Sequence, residues 1–414
     1  MKILFINSLA DASRGSGAER VLTEQMHALR ALGHECLLLA TNPRTGLHRN
    51  ATPDGTSWLA GPGNLYWPHD GQQHSAAARM VWHAVDSYNP MMGHAVRTVA
   101  LQERPAIACI HNLSGWSVAA WAALDKLGIP VVQVLHDYYL LCPRTTMFRE
   151  DRNCTSPCGS CRLLRLPHRA LSRRVSAVVG VSHHILQTHV SMGYFAGVAR
   201  RMVLHNARRA PEARVMHGDS PRSGRALRFG YIGRLDPAKG VDALLEEFTA
   251  AALPGAQLWL AGRGRQAYET TLRQRAENIE GVRFLGYVEA DAFYKQVDVL
   301  IVPSLWNEPL GGVVFEAMSH GLPVIAARRG GIPEMIRHEH NGILIEPTMR
   351  GDLAQAMRRV ADDQQLRLRL RKHAKECAEP YADVARWGAQ YAALFEDVIG
   401  APAPAPTRGS TARP

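Results

Sequence analysis

The stretch that decides the fold is VPSLWNEPLGGVVFEAMSHGLPVIAARRGGIP, residues Val302–Pro333. It opens at the end of an apolar strand and continues through a loop that carries Glu308 to the glycine pair Gly311-Gly312. A helical pattern with Glu316 follows, and a second apolar run comes directly after it. The order strand, glycine-rich turn, helix and strand is typical of a parallel α/β unit.

The same alternation runs along the rest of the chain in two series. Apolar runs such as Ile3–Ser8 and Ala106–Ile110 alternate with amphipathic helical patterns in the first series, and Leu227–Ile232 starts the second. Residues 207–225 between the two series are rich in Arg, Pro, Gly and Ser, which is typical of a linker. The sequence therefore predicts two doubly wound α/β domains in tandem.

The length and composition agree with two folded domains. A chain of 414 residues is long for one domain, and a hydrophobic fraction of 46% is sufficient for packed cores. We expect no membrane-spanning segment, because no apolar run approaches about 20 residues. Seven cysteines are too few for a disulfide scaffold in a chain of this size, which favours a reducing, cytoplasmic compartment.

Positive charge is concentrated in one segment. The formal net charge is +11, and residues 144–174 hold eight arginines against Glu150 and Asp151. Nucleic-acid binding is disfavoured, because a single aromatic residue, Phe148, accompanies these arginines. Leucines and arginines mix in 162–174, which fits peripheral contact with an anionic membrane as well as a plain solvated helix. Both interpretations of 162–174 stay open.

The glycines and acids of the opening stretch form a candidate ligand site. Gly311 and Gly312 at a helix N-terminus leave backbone N–H groups open to an anion. Glu308 and Glu316 fall near the carboxyl ends of the strands, where open α/β sheets bind ligands. Carboxylates accept hydrogen bonds from sugar and ribose hydroxyls. Simple turns and one solvated glutamate are the alternative, which the whole constellation disfavours.

A second candidate site lies in YIGRLDPAKG, residues Tyr231–Gly240. Arg234 and Lys239 follow a strand and precede a helix. A two-pronged guanidinium and a compact ammonium together suit a diphosphate. Ordinary surface cations are the alternative, which would be preferred if the two residues stood alone.

Four segments together resemble the retaining GT-B glycosyltransferases, particularly the large family four. Glu308 and Glu316, with seven residues between them, resemble the paired glutamates of that family. Tyr231–Gly240 resembles its G-R-L-x-x-x-K-G segment, and Gly15–Arg20 (GSGAER) is similar to its N-terminal G-G-A-E-R loop. Leu135–Arg144 is similar to the L-H-D-Y/F-W…C-P-R run of one subgroup. The resemblance implies a GT-B fold, with two Rossmann-like domains that face each other across a cleft.

The resemblance also implies the extent of each domain. An N-terminal, acceptor-side domain would cover residues 1–207 and include a basic, cysteine-rich segment at 142–174. A C-terminal domain at 208–380 would bind the nucleotide sugar. A closing helix at 381–399 would pack back on the N-terminal domain. Residues 400–414, rich in Pro and Ala, are expected to form a disordered tail.

The resemblance further implies the roles of individual residues. His136, Arg234, Lys239 and Glu308 would be catalytic, with His136 in contact with the donor sugar. Taken alone, a histidine at a strand end is as readily structural as functional. Glu308 would contact the sugar hydroxyls, and Glu316 would hold the ribose. The implied donor-binding residues are Gly17, Gly233, Arg234, Lys239, Glu308, Leu310, Gly311, Gly312, Val313 and Glu316.

The implied reaction is sugar transfer with retention of the anomeric configuration by front-face attack. The leaving diphosphate would accept the acceptor's proton, and neither a protein nucleophile nor a catalytic metal is expected. A nucleotide diphosphate sugar would be the co-substrate, and the acceptor a saccharide or lipid-linked saccharide. The resemblance places this reaction in bacterial surface-polysaccharide or glycolipid synthesis, in the cytoplasm or at the cytoplasmic face of the inner membrane. A GT-B nucleotide-sugar epimerase, which needs no acceptor, is the alternative enzyme.

Four of the seven cysteines are concentrated in the basic segment. Cys142, Cys154, Cys158 and Cys161 have the spacing C-x11-C-x3-C-x2-C, with His168 nearby. Four thiols so close predict a structural zinc site as one interpretation, although the spacing differs from paired C-x2-C motifs. Free thiols in a cysteine-rich loop are the other interpretation. A catalytic metal is not expected there, because three or more sulfur ligands would leave no open coordination position.

Overall fold

Two sheets flanked by helices form the framework of the protein in a computed structural model. The structure describes residues 1–10, 17–52, 55–209 and 227–400. Most of the predicted linker lies outside these residues, as do Gly15 and Ser16 of the N-terminal loop and the predicted tail beyond Gly400.

The first domain is built on the larger sheet. Its strands are β1 (Lys2–Asn7), β2 (Glu35–Thr41), β3 (Leu47–Thr52), β4 (Gly55–Ala60), β5 (Ile107–Ile110), β6 (Val131–Leu135), β7 (Phe148–Arg149), β8 (Arg152–Asn153), β9 (Ala177–Gly180) and β10 (Arg200–Val203). Its helices are α1 (Gly17–Ala31), α2 (Ala76–Ser87), α3 (Pro90–Glu103), α4 (Ala119–Asp125), α5 (Gly159–Leu164), α6 (Leu166–Leu171) and α7 (His183–Ser191). The sheet order is β10-β9-β6-β5-β1-β2-β4-β3, while β7 and β8 form a separate small hairpin.

One edge of this sheet departs from the predicted parallel arrangement. β3 pairs with β4 in the antiparallel sense, whereas the other neighbours in the sheet are parallel. These two strands were not predicted from the sequence, because β3 is polar (LHRNAT) and β4 is only partly buried. Edge strands need no continuous apolar run, so hydrophobic patterning gives little signal for them.

The second domain contains a fully parallel sheet. Its strands are β11 (Arg228–Ile232), β12 (Gln257–Ala261), β13 (Val282–Gly286), β14 (Val299–Val302), β15 (Val324–Ala327) and β16 (Ile343–Ile345). Its helices are α8 (Val241–Ala251), α9 (Gln266–Ala276), α10 (Ala290–Tyr294), α11 (Gly312–Ser319), α12 (Asp352–Asp362) and α13 (Gln364–Ala382). The strand order β13-β12-β11-β14-β15-β16 is that of a doubly wound sheet, as predicted.

The last described helix, α14 (Val384–Gly400), lies against the first domain rather than the second. It packs on α1, where a Cβ on Gly388 would lie only 2.6 Å from the Cβ of Ala28, so the helices need a glycine here to approach this closely. Asp397 near the end of α14 forms an ion pair with Arg200 of β10. None of the helices in the described ranges combines the length and apolar character needed to cross a bilayer.

Candidate active site

The loop that follows β14 places a largely buried carboxylate beside a lysine. Glu308 is 6% exposed. Lys239, at the end of a short 3-10 turn after β11, donates from Nζ to Glu308 Oε1 at 2.6 Å. Ser304 Oγ donates to the same oxygen, also at 2.6 Å. The structure thus brings the predicted acid and the predicted cation into direct contact, and it adds Ser304, which was not predicted.

The backbone of this loop is held by close contacts with neighbouring loops. Gly330 has φ +59°, and a Cβ there would lie 2.0 Å from the carbonyl oxygen of Glu308. Gly331 N donates to that same oxygen at 2.8 Å. Gly240 has φ +72°, and a Cβ there would lie 2.1 Å from the carbonyl oxygen of Pro303. Glycine is required at these positions because another backbone occupies the space of a side chain.

The N-terminus of α11 follows this loop directly. Gly311, its N-cap, has φ +87°, and no side chain caps the helix. The first N–H groups of a helix have no intrahelical acceptor, so those of Gly312 and Val313 are suited to a ligand, and the helix dipole favours an anion. Leu310, directly before this N-cap, has a buried side chain that is 3% exposed.

Glu316, one turn into α11, has protein partners on both carboxylate oxygens. Arg208, five residues beyond β10, approaches Oε1 to 2.7 Å, and the hydroxyl of Tyr294 donates to Oε2 at 3.1 Å. Burial lowers the pKa of Arg208, but the Glu316 carboxylate outweighs this effect and the net shift is upward. Burial, and then the same carboxylate, raises the pKa of Tyr294 well above its usual value. Neither partner was predicted from the sequence.

Arg234, Gly233 and Gly17 lie in more open surroundings. The side chain of Arg234 is 61% exposed, and its Nε is 3.6 Å from Asp236 Oδ2. Gly233 donates its N–H to the carbonyl of Ala261 at 3.0 Å, which ties the turn after β11 to the end of β12. Gly17 is the first residue of α1, and the loop that precedes it falls outside the described residues.

His136 lies at the end of β6 and forms a pair with His111, which follows β5. Nδ1 of His111 and Nε2 of His136 are 2.8 Å apart, and the rings stack with centroids 4.9 Å apart. Burial lowers the pKa of His136 to about 4 and that of His111 well below its usual value. Both rings are therefore neutral at pH 7, so one of them donates and the other accepts. His111 was not predicted, because it lies 25 residues before His136.

Contacts between the domains connect the first domain, which carries His136, to the loop that carries Glu308. The hydroxyl of Tyr138, two residues after His136, donates to the carbonyl of Asn307 at 3.1 Å. Ser182 Oγ, at the N-cap of α7, donates to the carbonyl of Pro309. The residues on either side of Glu308 thus contact the first domain.

The structure does not support the predicted structural zinc site in the cysteine cluster. Sγ of Cys161 lies 3.4 Å from Sγ of Cys158 and 3.8 Å from Sγ of Cys142, and Cys154 is a free thiol in the same segment. Within the described parts of the chain, however, no group of three or more His, Cys, Asp or Glu side chains is arranged to hold a metal ion. His168 instead approaches Arg165, with Nε2 3.3 Å from Nη1.

Comparison with known proteins identifies the family. Residues 15–207 match the model of Glycosyltransferase Family 4, and residues 226–363 match the model of Glycosyl transferases group 1. The two models meet near the boundary between the two sheets and together cover most of the chain. The protein belongs to the glycosyltransferases that these two models describe, with a family-four domain followed by a group 1 domain.

Individual relatives agree with this assignment. A Klebsiella pneumoniae protein described as an uncharacterized 42.6 kDa protein in the cps region is 26% identical over 81% of this chain and 88% of its own length. The lipopolysaccharide core biosynthesis glycosyltransferase LpsE of Rhizobium meliloti is 32% identical over 35% of this chain and 42% of its own length. The crystal structure of Anabaena HepE in complex with UDP-glucose matches with a TM-score of 0.71 at 20% identity, covering 96% of this chain and 100% of HepE. The fold is therefore GT-B.

Proposed function

We propose that the protein is a retaining glycosyltransferase that transfers a sugar from a nucleoside diphosphate sugar to a saccharide or lipid-linked acceptor. The observation that carries this proposal is the contact of Lys239 with Glu308 directly before α11, the helix that also bears Glu316. A cation and a helix N-terminus suit a diphosphate, and two carboxylates suit sugar and ribose hydroxyls. The UDP-glucose complex of HepE supports a donor of this kind.

Each site residue then has a role toward the donor. Glu308 accepts hydrogen bonds from the sugar hydroxyls, assisted by the backbone N–H groups of residues 310–313. Glu316 holds the ribose after it exchanges Arg208 for the ribose hydroxyls. Lys239 and the exposed Arg234 bind the diphosphate. We further propose that residues 1–207 bind the acceptor and 208–380 the donor.

The reaction proceeds on one face of the sugar. The bond from the anomeric carbon to the diphosphate oxygen breaks, and the acceptor oxygen bonds to that carbon on the same face. The acceptor's proton passes to the leaving diphosphate oxygen. Lys239, Arg234 and the N-terminus of α11 stabilise the negative charge that develops on the leaving group. His136, held by His111, contacts the sugar near the anomeric carbon.

The activity is tested by incubating the protein with a panel of nucleotide sugars and candidate acceptors. We expect nucleoside diphosphate release with one donor, and NMR of the product should show the donor's anomeric configuration. An epimerised sugar formed without an acceptor would favour the epimerase instead. If no donor in the panel releases a nucleoside diphosphate, and neither UDP nor GDP raises the melting temperature, the proposal is overturned.

The setting we propose is bacterial surface-polysaccharide or glycolipid synthesis at the cytoplasmic face of the membrane. The relatives in a cps region and in lipopolysaccharide core synthesis support it. Leu163 and Leu166 are 69% and 59% exposed beside Arg162 and Arg169, and Met80 on α2 is 67% exposed. Apolar side chains set among arginines fit an anionic lipid surface.

Vesicle flotation tests this membrane contact. We expect the protein to bind vesicles that contain phosphatidylglycerol and to be released by salt. A Leu163→Ser, Leu166→Ser variant should bind more weakly, whereas Leu368→Ser, at a partly exposed leucine on α13, should not change binding. Equal binding of all three proteins, or equal binding to neutral vesicles, would contradict peripheral contact through 162–174.

A further inference from the structure

The thiols of the basic segment contain a close pair that the transferase chemistry does not use. Sγ of Cys158 and Sγ of Cys161 are 3.4 Å apart. Cys158 is exposed, Cys161 is half-buried, and both are free thiols. Cys158 is the N-cap of α5, which places the two cysteines on the same turn at the start of that helix. A disulfide joins its sulfurs at about 2.05 Å, so bond formation requires only a small approach of two side chains on one turn.

The surroundings distinguish this pair from the other thiols of the segment. Cys142 is buried, and its sulfur is 3.8 Å from that of Cys161. Cys158 alone among the four is exposed, and its sulfur lies 3.3 Å from the hydroxyl oxygen of Ser160. A small oxidant from solvent therefore meets Cys158 first, with Cys161 as the nearest second thiol. An accessible thiol beside a resolving thiol is the arrangement that redox-active cysteines have in common.

We propose that Cys158 and Cys161 form a reversible dithiol–disulfide pair whose oxidant is a hydroperoxide. The sulfur of Cys158 attacks the peroxide oxygen, the O–O bond breaks, and a sulfenic acid and water form. The sulfur of Cys161 then attacks the sulfenic sulfur, the S–S bond forms, and a second water leaves. Two thiols thereby lose two electrons and two protons to hydrogen peroxide, which becomes two waters. A small dithiol returns the electrons and protons and restores both thiols.

The cysteine pair lies in the same segment as Asn153, which is hydrogen-bonded to the loop that carries Glu308. Asn153 Nδ2 donates to the carbonyl of Leu305 at 2.8 Å, and Asn153 Oδ1 accepts from the N–H of Asn307 at 2.7 Å. These two hydrogen bonds connect the basic, cysteine-rich segment to the loop that carries Glu308. The proposal itself does not depend on the proposed sugar transfer, because its chemistry involves the thiols alone.

The test is mass-spectrometric mapping of the full chain after hydrogen peroxide treatment and alkylation of the remaining thiols. Trypsin releases residues 153–162, NCTSPCGSCR, which contain three of the four cysteines. We expect this peptide to lose two hydrogens and to carry one alkyl group, on Cys154. Dithiothreitol should restore three alkylation sites. Cys158→Ser and Cys161→Ser should each abolish the loss, whereas the matched Cys154→Ser variant should retain it.

Other outcomes would overturn the pairing. These are oxidation of Cys158 to sulfinic or sulfonic acid without a disulfide, and a disulfide that includes Cys142 or Cys154. One equivalent of zinc bound to the protein as purified, with all four thiols protected from alkylation, would overturn it as well. Mapping of the wild-type chain decides the question even if a variant fails to fold.

Discussion

Glu308 and Glu316 each form an ion pair that a donor would have to exchange. Lys239 is 2.6 Å from Glu308, and Arg208 is 2.7 Å from Glu316. Ion pairs of this kind contribute little net stability, because desolvation and ordering of the side chains offset much of the attraction. The pairs instead hold both carboxylates in place. In the proposed binding mode, the donor's hydroxyls and phosphates would replace the partner that each side chain has in these pairs.

Replacing Glu308 tests the carboxylate at this site. Glu308→Gln keeps the shape of the side chain but removes the charge that accepts hydroxyl hydrogen bonds. We expect kcat/KM for the donor to fall about 10- to 100-fold, the value of one or two charge-assisted hydrogen bonds. Glu277→Gln, on an exposed residue after α9, is the matched control and should be unchanged. Equal kinetics for the two variants would remove Glu308 from the site.

Replacing Arg208 tests whether this residue competes with the ribose. Arg208→Val frees Glu316 Oε1, so we expect the dissociation constant for the nucleoside diphosphate to fall about two- to fivefold, as for a pair worth at most about 1 kcal/mol. Arg209→Ala, at the exposed neighbouring arginine, removes the same charge without touching Glu316 and is the control. Calorimetric titration measures both. Weaker binding by Arg208→Val would mean that Arg208 binds the donor itself.

The histidine pair predicts a specific pH dependence of stability. Burial lowers the pKa of His136 to about 4, whereas an unfolded histidine has a pKa of about 6.5. Between these values the unfolded chain binds more protons, so the free energy of unfolding falls as the pH falls. His111→Gln removes one buried imidazole, and we expect its melting temperature to fall less than that of the wild type between pH 6.5 and 5.

Two buried aspartates change the free energy of unfolding with pH in the opposite direction. Burial raises the pKa of Asp86 and Asp137 to about 6. Their contribution to stability therefore falls as the pH rises from the usual aspartate pKa of about 3.9 towards 6. They are present in both proteins and cancel in the comparison. Identical pH profiles of the melting temperature, or an NMR titration of His136 near pH 6.5, would contradict the buried neutral pair.

At the scale of elements, apolar runs and turn glycines predicted the strands and helices whose own residues show such a pattern. β14 is VLIV and fully buried, and the glycine pair marks the start of α11, so this unit was predicted correctly. Tyr294 and His111 were missed because each becomes a partner only through tertiary packing. Ser304 contacts Glu308 within the same loop, but a serine in a loop gives no pattern that predicts such a contact. Lys239 and Glu308 are 69 residues apart, and only the resemblance had placed them in one site.

The glycine after β15 gives a prediction at this scale. In Gly330→Ala the new Cβ would displace the backbone of Glu308, so we expect the dissociation constant for the donor to rise at least about tenfold and the melting temperature to fall. Gly351→Ala is the matched control: its φ of +88° carries similar strain, but nothing lies within 4 Å of the new Cβ. It should lower only the melting temperature. Equal donor affinity in both variants would mean that the packing of these loops does not shape the site.

At the scale of the whole molecule, the contacts between the domains complete the site. Glu334 of the second domain accepts hydrogen bonds from the N–H groups of His183 and His184 at 2.8 and 2.9 Å, and His205 Nε2 lies 3.0 Å from it. These bonds fix α7 of the first domain beside the loop of Gly330-Gly331. The sequence predicted two domains of this class because each repeats the α/β alternation, but it contains no local signal for the contacts between them.

The measurement that tests the central claim most directly is calorimetric titration of the full chain with UDP and GDP, repeated with Lys239→Gln. We expect one of the two nucleotides to bind with a dissociation constant below about 1 mM, and the variant to bind it at least about tenfold more weakly, because Lys239 carries the charge that meets the diphosphate. If neither nucleotide binds, or if the variant binds as tightly as the wild type, a diphosphate site formed by Lys239 and the N-terminus of α11 is contradicted.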